Sequence, residues 1–180
     1  MADLAVKVAM LPPGDAALLR VGAVMLLMVF AVKGALVPLQ FWLPATYSFA
    51  PGPVAALFAV MTKVGAYAVI RVFTLIFPPE TAATGMLFAD VLLPAALLTL
   101  ALGALGVIGA SGLARLAAFA GIGSMGTLFI AVAQFTPEAL TAGLYYMLHS
   151  TLALAVLFLI TDMVQDRRGH DSTGTALPPM

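Results

Sequence analysis

Long uninterrupted apolar runs make up most of the 180-residue chain. Each run has about 20 residues or more, the length that an α-helix needs to cross roughly 30 Å of hydrocarbon. The pattern predicts five such spans, at residues 16–37, 53–77, 86–110, 113–133 and 138–163. The runs lack the alternation of apolar and polar residues that barrel strands show. The predicted fold class is therefore an all-α integral membrane protein with five transmembrane helices.

Prolines and polar stretches mark where the predicted helices end. Pro38 and Pro44 close the first span, and Pro53 stands where proline is tolerated, at the start of a helix. Residues 1–15 are interpreted as an N-terminal loop, and residues 16–163 as the five-helix transmembrane segment. Residues 164–180 are rich in polar residues, glycine and proline, and are predicted to be a disordered tail.

Composition restricts the class of protein further. The chain is 63% hydrophobic and 9% charged, with a mean hydropathy of +1.11, which is more apolar surface than a soluble domain of this size could bury. The net charge is zero, so no basic face for nucleic acid is expected. There is no cysteine, only His149 and His170 are available as histidine ligands, and the carboxylates do not cluster. We therefore expect neither a metal site nor a cofactor. Lys and Arg are spread over both sides of the predicted membrane, so charge bias leaves the orientation open.

Two lysines lie inside predicted spans, Lys33 in MLLMVFAVKGALV and Lys63 in VAALFAVMTKVGAYAVI. An ionisable side chain is expensive in lipid and usually belongs to a substrate or proton path. An ammonium that loses hydration also gives up its proton more readily, which suits a relay. The alternative is that a lysine extends to the headgroups, which is easier for Lys33, near Pro38, than for Lys63 in mid-helix.

Tyr67 and Arg71 follow Lys63 at helical intervals of four residues, so the three side chains share one face. The Tyr67 hydroxyl is a candidate element of a water wire next to the ammonium. Packing of a buried tyrosine with a satisfied hydroxyl is the alternative. Arg71 stands nearer the helix end and is interpreted as an anchor at the headgroups.

His149 lies in the middle of the fifth span, in LYYMLHSTLALAV. Histidine titrates near neutral pH and can take up a proton at one ring nitrogen and release it from the other. His149 is therefore a candidate proton relay, with Tyr145 and Ser150 as candidate water-wire residues beside it. A neutral histidine hydrogen-bonded between helices is the alternative.

Glycines recur at three-residue intervals at Gly103, Gly106, Gly109 and Gly112. No strand precedes them and no Lys-Ser/Thr pair follows them, so a phosphate-binding loop is disfavoured. Small residues let helix backbones approach, and close helix packing is the better interpretation.

Three strings together carry a resemblance to a known family: AVKGALVPLQFWLPATYSFAPGPVAALFAVMTKVGAYAVIRV, LARLAAFAGIGSMGTLFIAVAQFTPEAL and LYYMLHSTLALAVLFLITD. They resemble the antiporter-like subunits that Mrp-type sodium/proton antiporters share with respiratory complex I, and are most similar to the D-type member of the Mrp set. The distinctive motifs are a lysine, then PLxFWLPxxY, then APxPVxALxxxxxTKVGxYxxxR, in that order.

The resemblance implies that the chain is the central part of a subunit of about fourteen helices built from inverted repeats. It implies that the first helix is discontinuous near Pro38, that Lys33 pairs with a glutamate on an upstream helix, and that Lys63 is the central relay. Complex I relatives tend to have a histidine where this chain has Ser124. Ser124 and Thr127 are candidate water-wire residues at that place, with hydroxyl packing between helices as the alternative.

The function expected from the resemblance is proton conduction through Lys33, Lys63 and His149 in a multisubunit monovalent cation/proton antiporter of the bacterial inner membrane. Such a chain is a transporter subunit and no enzyme. Its partners would be the remaining helices of the subunit, other subunits of the complex, lipid, protons and monovalent cations. The alternatives are a proton-pumping subunit of a complex I-like or hydrogenase complex, and a non-transporting assembly fragment.

Overall fold

The computed structural model describes residues 6–8, 10, 17–77 and 87–171. The described part of the chain is helical with no strand, which confirms the predicted fold class. Residues 6–8 form a short helical turn inside the predicted N-terminal loop. The main helices are α1 Ala17–Lys33, α2 Trp42–Phe49, α3 Gly52–Leu75, α4 Leu87–Ile108, α5 Leu113–Ala133 and α6 Pro137–Asp171.

Four helices in the described residues are long and apolar enough to cross a membrane, and they match the second to fifth predicted spans. The first predicted span, 16–37, corresponds to α1, which has 17 residues and ends at Lys33. The chain then leaves the helix and forms the short α2. One of the five predicted helices is therefore a discontinuous pair, as the family resemblance implied.

The predicted boundary between the last helix and the polar tail, at residue 164, lies before the end of the helix in the structure. Helix α6 runs on through Asp171, so residues 164–171 are helical and the prediction of a disordered tail is wrong there. The reason is that Gln165 and the arginines that follow it favour helix and are free to extend into water, and the first glycine comes only at Gly169. Residues 172–180, which complete the predicted tail, lie outside the described residues.

Helix α1 ends in a hydrogen-bonded reversal of the backbone. The Leu36 N–H donates to the Ala31 carbonyl at 2.9 Å and the Ala35 N–H donates to the Val32 carbonyl at 3.1 Å. These are the two bonds of a Schellman motif, in which a left-handed residue follows the helix. That residue is Ala35, with φ of 52° at a position that glycine usually occupies. The helix therefore ends here despite the apolar sequence that continues beyond it.

Side chains from two neighbours hold the interrupted segment, residues 34–41, in place. The Trp42 indole N–H donates to the Val32 carbonyl at 3.0 Å, so this carbonyl accepts a second hydrogen bond beside the one from the Ala35 N–H. The Val37 N–H donates to the hydroxyl of Thr99 on α4 at 2.9 Å. Thr99 is fully buried. Non-helical backbone inside a membrane is tolerated where such partners satisfy it.

Helices α4 and α5 pack closely through glycines. A Cβ added at Gly103 would lie 2.6 Å from the Gly123 Cα, and one at Gly106 would overlap the Phe119 ring. The packing role predicted for these two glycines is confirmed. It is wrong for Gly109 and Gly112, where a Cβ would meet no neighbouring helix, because α4 ends at Ile108 and the chain turns there.

The buried apolar residues form two clusters, stacked along the helices. Along α3, Ala55 and Ala59 belong to one cluster and Ala66 and Val69 to the other. Along α5, Ile122 belongs to the same cluster as Ala55, and Met125 belongs to the same cluster as Ala66. The polar residues that lie between the clusters are Thr62, Lys63, Ser124, Ser150 and Thr151. We call these five residues the polar layer.

Candidate functional site

Lys63 lies at the centre of the polar layer. It stands near the middle of α3 and is only 3% exposed, and its ammonium donates to the Ser124 hydroxyl on α5 at 2.7 Å. The hydrogen bond joins two residues that are far apart in sequence and that were both predicted site residues. Extension of Lys63 to the headgroups is therefore excluded in this structure.

A cleft of about 260 Å³ opens beside Lys63, between α3 and α6. Its polar lining comes from Lys63, Tyr67 and Thr151, and its other walls are apolar. A water molecule occupies about 30 Å³ in the liquid, so the cleft has room for several. The structure thus places the predicted water-wire residue Tyr67 in the same water-sized space as Lys63. Tyr67 is 44% exposed among the described residues.

The side of Lys63 away from this cleft is closed. Tyr47 of α2 and Thr62 of α3 approach each other there through their hydroxyls, and both residues are buried. Both hydroxyls also bond the Phe58 carbonyl, Tyr47 at 2.7 Å and Thr62 at 2.8 Å. Sequence reasoning missed Tyr47 and Thr62. The available signals were that Tyr47 ends the PLxFWLPxxY motif and that Thr62 is adjacent to Lys63.

Lys33 is exposed at the C-terminus of α1. Its backbone lies against α3, since a Cβ at Gly65 would come within 3.2 Å of the Lys33 carbonyl carbon. Its side chain makes no ion pair or hydrogen bond with a described residue. The structure therefore brings the Lys33 backbone to the level of Lys63 while its ammonium faces outward, away from the polar layer.

His149 and Tyr145 are exposed on α6, and Tyr145 is 78% exposed. They are four residues apart and share a face that does not line the cleft. Ser150, the next residue, points inward and donates to the Met147 carbonyl at 3.3 Å. Of the predicted α6 residues, only Ser150 belongs to the polar layer.

Thr127 stands one turn beyond Ser124 on α5 and is half-buried. Its hydroxyl donates to the Gly123 carbonyl at 3.2 Å, a bond within its own helix. Arg71 is exposed near the end of α3, and its guanidinium lies 6.0 Å from the centre of the Tyr67 ring. This position is compatible with the predicted headgroup anchor.

A family model described as NADH:quinone oxidoreductase/Mrp antiporter, TM, matches residues 14–176. The match covers nearly the whole chain. This chain belongs to that family. The resemblance inferred from the motifs is confirmed, and the chain is a multi-pass membrane protein.

Relatives with assigned names come from several bacteria. The chain is 38% identical to the D-type subunit of a probable K(+)/H(+) antiporter of Rhizobium meliloti, over 98% of this chain and 32% of the relative. It is 39% identical to the D-type subunit of a Na(+)/H(+) antiporter of Bacillus subtilis, over 89% of this chain and 31% of the relative. The chain therefore spans about a third of the length of these relatives.

A solved structure of the Mrp complex from Dietzia sp. DQ12-45-1b contains a chain with the same fold. The TM-score is 0.68 with 32% sequence identity, over 74% of this chain and 24% of the other. The expectation of a fragment of a larger antiporter-like subunit agrees with this coverage.

Proposed function

We propose that this chain is a proton-conducting segment of a D-type subunit in a multisubunit monovalent cation/proton antiporter. The observation that carries the proposal is the buried Lys63, bonded to Ser124 and bordering a cleft with room for water. The two apolar clusters isolate this ammonium from both ends of the bundle. A charge in such surroundings is costly and indicates transport rather than packing.

The hydroxyl partner suits a lysine that changes its protonation state. When Lys63 is an ammonium, the Ser124 oxygen accepts its hydrogen bond. When Lys63 is a neutral amine, the Ser124 hydroxyl can rotate and donate to the amine lone pair. A carboxylate partner would favour only the charged form. Ser124 therefore supports both states, and the proton that Lys63 releases can pass to water in the cleft beside Tyr67.

Lys33 and His149 are proposed as further relay stations outside the polar layer. Both are exposed among the described residues, and we infer that the rest of a longer subunit covers them. Their proton partners would thus be supplied by the other helices of the subunit, including the expected glutamate for Lys33. Tyr145, which shares the outward face of α6 with His149, is proposed as a further water site. Thr127, one turn from Ser124 on α5, is proposed as another.

The partners proposed for the chain are the remaining helices of its own subunit, the other subunits of the complex, protons and a monovalent cation. The complex to which the chain belongs is proposed to be a secondary transporter and not an enzyme. The runner-up is a proton-pumping subunit of a complex I-like assembly, because the family includes NADH:quinone oxidoreductase members. The names of the relatives favour the antiporter.

The proposal is tested by substituting Lys63 in the complete complex. Lys63→Ala should lower cation-driven proton exchange at least about a hundredfold, the lower range for loss of a proton-transfer group. Lys63→Arg should fail as well, because a guanidinium keeps its proton at any relevant pH. Exchange is measured in inverted vesicles as dequenching of a pH-sensitive dye after sodium or potassium is added.

Arg71→Lys is the control for this experiment. Either cation reaches the headgroups from the end of α3, so this swap should leave exchange nearly unchanged. The amounts of each subunit are compared by blotting. Wild-type exchange by a fully assembled Lys63→Ala complex would remove Lys63 from the proton path and refute the proposal.

A further inference from the structure

The surroundings of Lys63 are asymmetric. On one side is the cleft between α3 and α6, with about 260 Å³ of space for water. On the other side is a narrow space with no volume for a water molecule, bordered by α2, α3, α5 and α6. Its residues are Leu43, Tyr47, Ala59, Thr62, Lys63, Gly121, Met125 and Leu154.

The two hydroxyls on the closed side have no hydrogen left for Lys63. Thr62 donates to the Phe58 carbonyl, as threonines in helices often do. Tyr47 has a single hydroxyl hydrogen, which goes to the Phe58 carbonyl or to Thr62. Both groups are thus satisfied within the set formed by Tyr47, Thr62 and Phe58. Such a set is suited to holding Tyr47 in place and not to passing a proton onward.

The Tyr47 ring is also fixed by three other rings. The ring centroids lie 6.1 Å from Trp42, 5.8 Å from Phe58 and 5.6 Å from Phe158, in stacked and edge-on arrangements that aromatic pairs prefer. These partners belong to α2, α3 and α6. Tyr47 therefore joins α2 to the two helices that border the cleft, and it is only 2% exposed.

Helix α2 is a separate short element. The interrupted segment connects it to α1, and an extended residue, Ala50, connects it to α3. Helix α2 could therefore shift while α1 and α3 stay intact. Its position relative to Lys63 depends on the contacts of Tyr47 and on packing against α5.

We propose that α2 excludes water from one side of Lys63 and that Tyr47 is the positioning residue that holds α2 against Lys63. We call this packing of α2 and Tyr47 over Lys63 the seal. With the seal closed, Lys63 releases and recovers its proton only through the cleft, and the Tyr47 and Thr62 hydroxyls keep their own protons. The inference rests on the proposed function, since it assigns a direction to the proton exchange of Lys63. Neither Tyr47 nor Thr62 was among the predicted site residues.

The test measures proton leak in the complete complex without any transported cation. Inverted vesicles are acidified by respiration in choline buffer, respiration is stopped, and the decay of the pH gradient is followed with a dye. Tyr47→Ala removes the ring and admits water to the closed side. It should raise the leak about tenfold, equivalent to lowering the barrier by about 1.4 kcal/mol. Tyr47→Phe, which restores the ring, should return the leak to the wild-type level.

A double variant decides whether the leak passes through Lys63. Combining Tyr47→Ala with Lys63→Ala should abolish the extra leak, which a general loosening of the bundle would not do. Leu92→Ala is the matched control, because Leu92 is equally buried but belongs to the other apolar cluster. This variant should not leak. All rates are normalised to the amount of assembled complex.

Several outcomes would overturn the seal. The seal would be overturned if the Tyr47→Ala complex leaked protons no faster than wild type. It would also be overturned if the leak persisted in the double variant, or if Leu92→Ala leaked as fast as Tyr47→Ala. Loss of exchange in an assembled Tyr47→Phe complex would make the hydroxyl a proton carrier instead. If Tyr47→Ala does not assemble, Tyr47→Leu takes its place, because it removes the ring but keeps more apolar volume; it should leak more than Tyr47→Phe, and equal leaks from these two variants would overturn the seal. If Lys63→Ala still abolishes exchange in any of these cases, only the seal has failed and the proposed function stands.

Discussion

The contact between α4 and α5 makes a quantitative prediction about Gly126. A Cβ at this position would lie 2.5 Å from the backbone nitrogen of Leu100 and 2.8 Å from its Cα. Both atoms belong to backbone, so a side-chain rotation cannot relieve the overlap. Gly126→Ala therefore forces α5 away from α4, and overpacking of this kind costs about 1–3 kcal/mol.

The matched control is Gly123→Ala, on the same helix and in the same interface. A Cβ at Gly123 would have its nearest neighbour, the Gly103 Cα, at 3.9 Å, an ordinary contact. Alanine is favoured over glycine inside a helix by about 1 kcal/mol. We therefore expect Gly123→Ala to be neutral or mildly stabilising, three residues from a substitution that is harmful.

The effect of Gly126→Ala should reach the candidate site. Ser124 lies two residues before Gly126 and bonds Lys63 at 2.7 Å. A displacement of α5 by about 0.5 Å is as large as the whole usual range of such donor–acceptor distances, about 2.7–3.2 Å, so it should disturb this hydrogen bond whichever way the helix moves. Gly126→Ala should therefore lower exchange per assembled complex as well as stability, whereas Gly123→Ala should lower neither.

Stability is measured by heating the purified complex in detergent and recording the fraction that still elutes as an assembled particle. Exchange is measured by the dye assay in vesicles. The reasoning would be refuted if Gly126→Ala melted at the wild-type temperature, or if Gly123→Ala were as harmful as Gly126→Ala. The second result would mean that α4 and α5 are not packed in the register described here.

Two further predictions concern the interrupted segment. Thr99→Val should destabilise the complex by about 0.5–1.5 kcal/mol, because the N–H of the half-buried Val37 loses its acceptor, and Thr99→Ser should restore stability in the same heating assay. Ala35→Gly should change stability by less than about 1 kcal/mol, because relief of the left-handed steric penalty of alanine is offset by the loss of a fully buried methyl group. A clearly larger loss of stability would contradict the assigned backbone conformation.

The site was only partly predictable from sequence. Lys63 was identified because an ionisable residue in an apolar run is conspicuous, and Tyr67 because a spacing of four residues places it on the same helix face. Tyr47 and Thr62 were missed because hydroxyl residues are common in membrane helices and carry no comparable signal. Their importance comes from the contact between α2 and α3, which no local spacing encodes.

The membrane class, the positions of four spans and the depth of Lys63 were all predictable from the amino-acid sequence. These properties depend on the length and composition of contiguous segments, because a helix needs enough consecutive apolar residues to cross the hydrocarbon of the bilayer. The family membership was equally accessible, because the PLxFWLPxxY and TKVG motifs are contiguous. The sequence did not determine where α1 ends, since the residues after Lys33 remain apolar and the break depends on Trp42 and Thr99.

The face of each helix that points inward is known only from the packing of the helices against one another. In water an amphipathic pattern would show this, but lipid is as apolar as the protein core, so the helices are apolar on all sides. His149 and Ser150 illustrate the consequence, because they are neighbours in one apolar run and yet His149 faces outward while Ser150 is buried. The pairing of Lys63 with Ser124 likewise required the packing of α3 against α5. The rotation of helices about their axes is set by contacts between segments, and that information lies in the packed bundle.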